Sequence, residues 1–299
     1  MKWFYIFISI ILFIYALLFF WKFFEPRYVL PKIIWFYWDK EMPLLIQQIK
    51  DYNRQALEGW DVRYLNEHTL GEYIKPWDFP SGYDKLISQH KADWIRAFLL
   101  MNHGGCWCDA SIILNSGNSV NDLWEESVDI RSDFTGFYTD HLLENKHFKG
   151  IHVNIENWFF MVPQESRIMR LWYDEFTKAV SEGFPNYASS IIKEKGVNVI
   201  DYGAEVYFTQ HKCLQVVLQR IKKLPLMILK PSRETMFKLH SICEENKSQK
   251  VVDSDNDWKR KCIMNSFKER PEENRKIPFI KLSRFERETE IDISPFFKM

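Results

Sequence analysis

The stretch KADWIRAFLLMNHGGCWCDASIIL, residues 91–114, constrains the fold more than any other part of the chain. With the residues just before it, apolar positions recur at spacings of three and four: Ile87, His90 or Lys91, Trp94, Ile95, Phe98 and Met101. That spacing marks one face of a helix. Gly104 falls where a left-handed C′ residue ends such a helix. Gly105 lets the chain turn at once into CWCDASIIL, a near-continuous apolar run of the kind that forms a strand covered on both faces. A helix folded back through two glycines onto a buried strand is an α/β unit. One carboxylate, Asp109, interrupts the apolar run near its middle.

The flanking sequence repeats the theme. KIIWFYW (Lys32–Trp38) is dense in β-branched and aromatic residues and reads as a strand. MPLLIQQIKDYNRQAL follows with helical spacing, Leu45, Ile49, Tyr52 and Ala56 sharing a face. GWDVRYLN then alternates as a second strand does. NIENWFFMVP reads as a further strand, and ESRIMRLWYDEFTKAVSEG as an amphipathic helix with Ile168, Leu171, Trp172, Phe176 and Val180 on one side. AEVYFTQHKCLQVVLQRIKK reads as another helix and KIPFIKLSRF as a short late strand. From Asn115 to Asn154 the pattern is weak. From Pro231 to Arg275 charged residues dominate, and the triplet Asp253, Asp255 and Asp257 lacks the glycine and glutamate of a calcium loop. The expected class is α/β, strands alternating with helices.

Ahead of this domain, Trp3–Trp21 runs for 19 residues without a charge. At about 1.5 Å per residue that nearly crosses a hydrocarbon core of roughly 30 Å. No small-residue cleavage site follows, so the expectation is an uncleaved membrane anchor over 1–24, a stalk over 25–31 and one domain over 32–299. Lys2 lies on one side of the segment, and Lys22, Arg27 and Lys32 on the other. That asymmetry places the domain in the cytoplasm on a literal count. Lys+Arg and Asp+Glu both number 40, which argues against a nucleic-acid partner. The five cysteines show no repeated spacing and are not a disulfide framework. Cys106 and Cys108 share a strand face; they are either half of a zinc site whose second pair is not found, or two small buried apolar side chains.

A carboxylate in a low-dielectric strand must be paired, hydrogen-bonded or neutralised. Asp109 either pairs with Arg96 or caps a turn, or it binds a divalent cation (Mn²⁺ or Mg²⁺), with Ser111 two residues on offering a second oxygen from the same strand face. Asp93 and Arg96 are neighbours on one helical face. They are either an ordinary intrahelical pair or, since their helix leads directly into the Asp109 strand, two walls of one cleft.

The block resembles the SD-x-x-R … GG-x-Y-x-D-x-D block of glycosyltransferases with a DXD sugar-binding motif. These include capsular polysaccharide synthesis proteins, yeast-type initiating mannosyltransferases and, more distantly, large clostridial glucosylating toxins. Asp93, Arg96, Gly104, Gly105 and Asp109 all fall in place. LPKIIWFYWD resembles the family's opening strand, NWFFMVPQESRIMRLW a central segment and PFIKL a late strand. The resemblance implies a GT-A-type fold, a Rossmann-like mixed sheet flanked by helices, that binds a nucleotide-sugar and passes the sugar to a glycan or polysaccharide, with retention of anomeric configuration. On it, Trp38 stacks on the nucleobase, Asp93 and Arg96 bond the sugar hydroxyls, Asp109 reaches the ribose, the metal or both, and Asn157 approaches the donor. Asp109 and Arg96 carry the chemistry. Lys281 is either a cation for the diphosphate or a lysine at a strand edge. The motif's second aspartate is Ser111 here, which removes one charge from the ion site. His211 is either a further metal ligand or a structural histidine. Two other functions stand beside transfer: a sugar-binding scaffold that has lost turnover, and a phosphatase with Asp109 as nucleophile.

Overall fold

Strand β1 (Ile33–Tyr37) is apolar on both of its faces, and both faces are covered. Trp35 enters one core with Trp94, Trp107, Phe160 and Trp172, while Ile34 and Phe36 enter a second with Cys106, Cys108, Phe159 and Met161. This alternation puts β1 in the middle of a sheet with a layer of structure on each side. The computed structural model describes residues 28–139, 154–199, 206–245, 255–288 and 292–298, together with 7, 10 and 13–15.

In chain order β1 is followed by α1 (Leu44–Ala56), β2 (Asp61–Leu65), α2 (Ser88–His103), β3 (Gly105–Cys108), β4 (Ile112–Leu114), α3 (Gly117–Asp129), β5 (Phe134–Thr139) and β6 (Asn154–Val162). Then come α4 (Arg167–Glu182), α5 (Phe184–Ile192), α6 (Thr209–Arg220), β7 (Met227–Pro231), α7 (Lys238–Glu245), α8 (Asp255–Glu269), α9 (Pro271–Arg275), β8 (Phe279–Lys281) and α10 (Arg284–Arg287). The main sheet has the order β2-β1-β3-β6-β5-β7. β2, β1 and β3 run parallel, β6 runs against both β3 and β5, and β7 is parallel to β5. The expected α/β class with a mixed sheet is therefore present. Helices α2, α4 and α6 supply the first core; β4 pairs with β8 in a second, two-stranded sheet that packs against α1, α7 and α8.

The two glycines serve more than a turn. Gly104 and Gly105 have φ of +66° and +95°. A Cβ on Gly105 would lie 2.6 Å from the Ile33 carbonyl oxygen, and one on Gly104 2.8 Å from the Gln164 nitrogen. Only glycine permits both the backbone angle and this approach of neighbouring strands. Gly104 donates its N–H to the Leu100 carbonyl at 3.0 Å, as a helix-ending residue does, but its ψ of −163° is extended rather than left-handed helical.

Four expectations are corrected. The run CWCDASIIL is not one strand: β3 ends at Cys108, a turn closed by Ile112 N–H on the Asp109 carbonyl (3.0 Å) intervenes, and β4 joins the other sheet. The carboxylate therefore stands at a strand end, and Asp109 and Ser111 do not share a strand face. The membrane-spanning helix is also corrected: among the described residues no helix is long and apolar enough to cross a membrane. Most of 3–21 lies outside the described residues, and attachment to a membrane through such a helix has no support here. The weak stretches contain α3, β5, α7, α8 and α9. Finally, one disulfide is present, Cys243–Cys262, joining α7 to α8 with Cα atoms 6.0 Å apart. Cys106 and Cys108 are buried free thiols in an apolar core, where burial raises both well above the usual thiol range, and among the described residues no group of three or more His, Cys, Asp or Glu side chains is placed to complete a zinc site around them.

Candidate active site

The chain leaves β1 towards β2 on one side and returns through α2 to β3 on the other side of β1. Such a switch in strand order opens a crevice at the carboxyl ends of the strands, the usual place for ligands in open α/β sheets. Trp38 follows the carboxyl end of β1, and Asp109 follows that of β3. Because β6 runs antiparallel to β3, its first half, with Glu156 and Asn157, lies at the same edge.

Arg96 is the hub of a buried network. It reaches from α2 to the carboxylate of Asp93 at 2.5 Å, to the amide oxygen of Gln210 at 3.0 Å and to Asp109 Oδ1 at 3.1 Å. Its guanidinium lies over the Trp107 ring, 5.0 Å from the centroid. Asp93 also accepts from Asn157 Nδ2 at 3.1 Å and meets His90 Nδ1 at 3.2 Å. Gln210 ties the elements together: its oxygen accepts from Asn157 at 2.7 Å, and its amide donates to the Asp93 main-chain carbonyl at 2.6 Å. Trp172 holds α6 in register by donating to the Gln210 carbonyl at 2.9 Å.

Asp109 receives the Trp107 indole N–H on Oδ1 at 3.0 Å and the Lys281 ammonium on Oδ2 at 2.9 Å. Pairing of β4 with β8 explains the second contact, since it sets Lys281 opposite Ile112, just past the Asp109 turn. The Asp109 side chain is 28% exposed against 6% for Arg96 and 12% for Lys281, so the carboxylate is the part of the network turned to solvent. Burial pushes its pKa upward, but Lys281 and Arg96 outweigh that and hold it below the usual carboxylate range. It is an anion at neutral pH.

Of the residues expected at the site, Asp93, Arg96, Asp109, Asn157 and Lys281 are joined in this one network. Ser111 is buried in the turn, where its carbonyl accepts the Leu282 N–H at 3.1 Å. Trp38 flanks the crevice, its ring facing the Arg287 guanidinium at 5.8 Å. His211 stands beside Gln210 on α6, with Nε2 3.9 Å from a Glu156 oxygen. Gln210, Trp107 and His90 complete the network and were not foreseen. The run TQHK at the start of a helix that turns out to be buried all round was the one available signal for Gln210.

The residues present do not fit the divalent cation that the resemblance implies. Hard cations take several anionic or neutral oxygens. Both oxygens of Asp109 are engaged by N–H donors, two of them cationic, and the second carboxylate of the motif is a serine off the strand. Among the described residues no group of three or more His, Cys, Asp or Glu side chains is placed to hold a metal ion.

Residues 24–187, more than half of the chain, match the family described as capsular polysaccharide synthesis protein, and the chain belongs to that family. A relative is the O-glycosyltransferase PaGT of Phomopsis amygdali, 22% identical over 215 residues, covering 59% of this chain and 51% of PaGT. The chain thus spans about half the length of that curated relative. Among solved structures, a glycosyltransferase involved in glycosylation of the major capsid of PBCV-1 aligns with a TM-score of 0.40 at 9% identity, over 89% of this chain and 98% of its own. The galactosyltransferase LgtC, in complex with donor and acceptor sugar analogs, aligns with a TM-score of 0.42 at 9% identity, over 73% and 80%.

Proposed function

We propose that the chain is a glycosyltransferase, taking a sugar from a nucleoside-diphosphate sugar and passing it to a hydroxyl of a glycan or polysaccharide. The observation that carries this reading is the Asp93–Arg96–Asp109 network at the strand-order switch of a chain of this family. Asp93 accepts from the hydroxyls of the donor sugar and Arg96 donates to them, which holds the reacting carbon in place. Asp109, the solvent-facing carboxylate, takes the ribose hydroxyls, and Asn157 holds Asp93 in place from β6. Trp38 stacks on the base, at about 1–3 kcal/mol for such a contact.

Transfer breaks the bond between the anomeric carbon and the diphosphate, and the electron pair leaves with the phosphate oxygen. In front-face transfer the acceptor oxygen bonds to the same face, its proton passes to the departing phosphate and configuration is retained. No protein nucleophile is required. The cost is the negative charge that builds on the leaving oxygen, which nearby cations offset.

The test is a screen of the purified chain against UDP-, GDP-, ADP- and dTDP-sugars, read by mass spectrometry for sugar transferred to an acceptor or to water. Turnover of one donor class that is lost in Asp109→Asn is expected. Tight sugar binding without turnover points instead to a scaffold, and an acyl-phosphate trapped on Asp109 to a phosphatase.

A further inference from the structure

Resting on the reading of the crevice as a nucleotide-sugar site, we propose that it works without a divalent cation, Lys281 standing where the ion would stand and Arg287 acting as a second cation for the diphosphate. Lys281 Nζ sits on Oδ2 of Asp109 at 2.9 Å, the carboxylate oxygen that neither Arg96 nor Trp107 takes, so a cation already occupies the side of Asp109 left open to an ion. The lysine is fixed rather than draped. Its strand pairs with β4, its main-chain N–H donates to the Met236 carbonyl at 3.0 Å, and its ammonium lies over the Trp158 ring, 5.5 Å from the centroid. An ammonium has three N–H donors, and the bond to Asp109 uses one. Two remain for anionic oxygens.

Arg287 comes from the same short C-terminal stretch. Its Nε donates to the Ser283 carbonyl at 3.3 Å and its guanidinium faces the Trp38 ring, but no carboxylate pairs with it among the described residues. The helix that carries it is capped by Ser283 and Glu286. A guanidinium with no acid partner among the described residues, next to the aromatic ring assigned to the base, suits the phosphates that follow the base in a nucleotide. Loss of the motif's second carboxylate at Ser111 fits the same account.

The full-length chain is titrated with UDP, GDP, ADP and dTDP by calorimetry, in EDTA and again with Mn²⁺ or Mg²⁺. One of them is expected to bind in EDTA, with an affinity that either ion changes by no more than about twofold. In EDTA, Lys281→Ala and Arg287→Ala are each expected to weaken it by about tenfold, the scale of one charged hydrogen bond, while Lys281→Arg keeps most of it. Arg287 is at the surface of the crevice, so its variant reports even where Lys281→Ala misfolds. Binding that occurs only with the ion, or binding in EDTA indifferent to both alanine variants, overturns the inference and leaves the nucleotide-sugar reading intact. Failure of every nucleoside diphosphate to bind under either condition overturns that reading and the inference with it.

Discussion

Arg96 on α2 and Asp109 after β3 meet at 3.1 Å across a connection reversed by two glycines. The contact joins a buried cation to a carboxylate that faces solvent, and the two acids that Arg96 holds are therefore unequal. Asp93 is buried and is the cation's inner partner; removing it as Asp93→Ala leaves Arg96 short of charge in the core and is expected to cost about 3–5 kcal/mol of stability. Asp109→Asn keeps the shape, leaves Arg96 paired with Asp93 and is expected to shift Tm by only a few degrees while lowering turnover by about 100-fold or more. Thermal melts and donor turnover on both variants check the contrast. A large loss of folding in Asp109→Asn would make that carboxylate structural.

The glycine pair makes a second contrast. Gly105→Ala imposes a positive φ on alanine and drives its Cβ into the Ile33 carbonyl, a backbone atom that cannot swing aside. Gly183→Ala meets only the backbone penalty, since nothing lies within 4 Å of its Cβ. The second is expected to cost about 1–3 kcal/mol and the first clearly more. Denaturant midpoints of the two variants measure the difference.

Glu286 should contribute to acid sensitivity. Burial pushes this carboxyl upward, but the His240 imidazole, 3.7 Å away, and the Ser283 N–H, at 2.6 Å, outweigh it and hold the pKa at about 2. A folded-state pKa below the unfolded one stabilises the fold fully above the ordinary carboxylate range, and that contribution fades as pH falls towards 2. It amounts to about 3 kcal/mol at most. Glu286→Gln is therefore expected to lose stability at pH 7 relative to the parent, and the gap should roughly halve by about pH 3. Urea titrations at the two pH values test it, and a gap that widens in acid would reverse the sign of the argument.

How far the sequence spoke for itself depends on what each element is made of. The strands β1 and β6 and the helices α2 and α4 carry their burial in their own residues, so spacing alone located them. By contrast, α8 is charged along much of its length and is fixed by Cys243–Cys262 and by Ile263, Met264 and Phe267 against distant residues, which no local pattern announces. The site divides the same way. Asp93 and Arg96 were legible from helical spacing. Asp109 stood out as a charge in an apolar run, but the break after Cys108 that frees it to face solvent was not visible, because CWCDASIIL contains no turn-forming glycine or proline. Gln210 joins only through packing of α6, 114 residues from its partner Arg96.

The disulfide gives a further test of that C-terminal layer. It closes a segment with a sequence separation of 19 residues, for which loop-closure entropy predicts about 3 kcal/mol. Cys262→Ser, or reduction of the parent, is expected to lower stability by about 2–3 kcal/mol. Since β8 carries Lys281 and packs in the same layer, nucleotide affinity measured on the reduced protein shows whether the loss reaches the crevice.

Trp38 closes the set because it stands in the crevice without being part of the network. Its main-chain N–H donates to the Leu65 carbonyl at 3.0 Å, so the end of β1 stays anchored whatever side chain it bears. The indole is only partly buried: it packs against the edge of the core under β4 and β8 and faces the Arg287 guanidinium. Trp38→Ala should therefore lower Tm by only a few degrees, the loss of contacts at the edge of that core. If a base stacks there, nucleoside diphosphate affinity falls by about tenfold or more, the scale of one aromatic–base contact. The loss should be shared by Trp38→Ala and Arg287→Ala rather than summed, since the ring and the guanidinium face each other and would hold adjoining parts of one ligand. A calorimetric double-mutant cycle measures that coupling; unchanged affinity in Trp38→Ala would remove the ring from the nucleotide pocket.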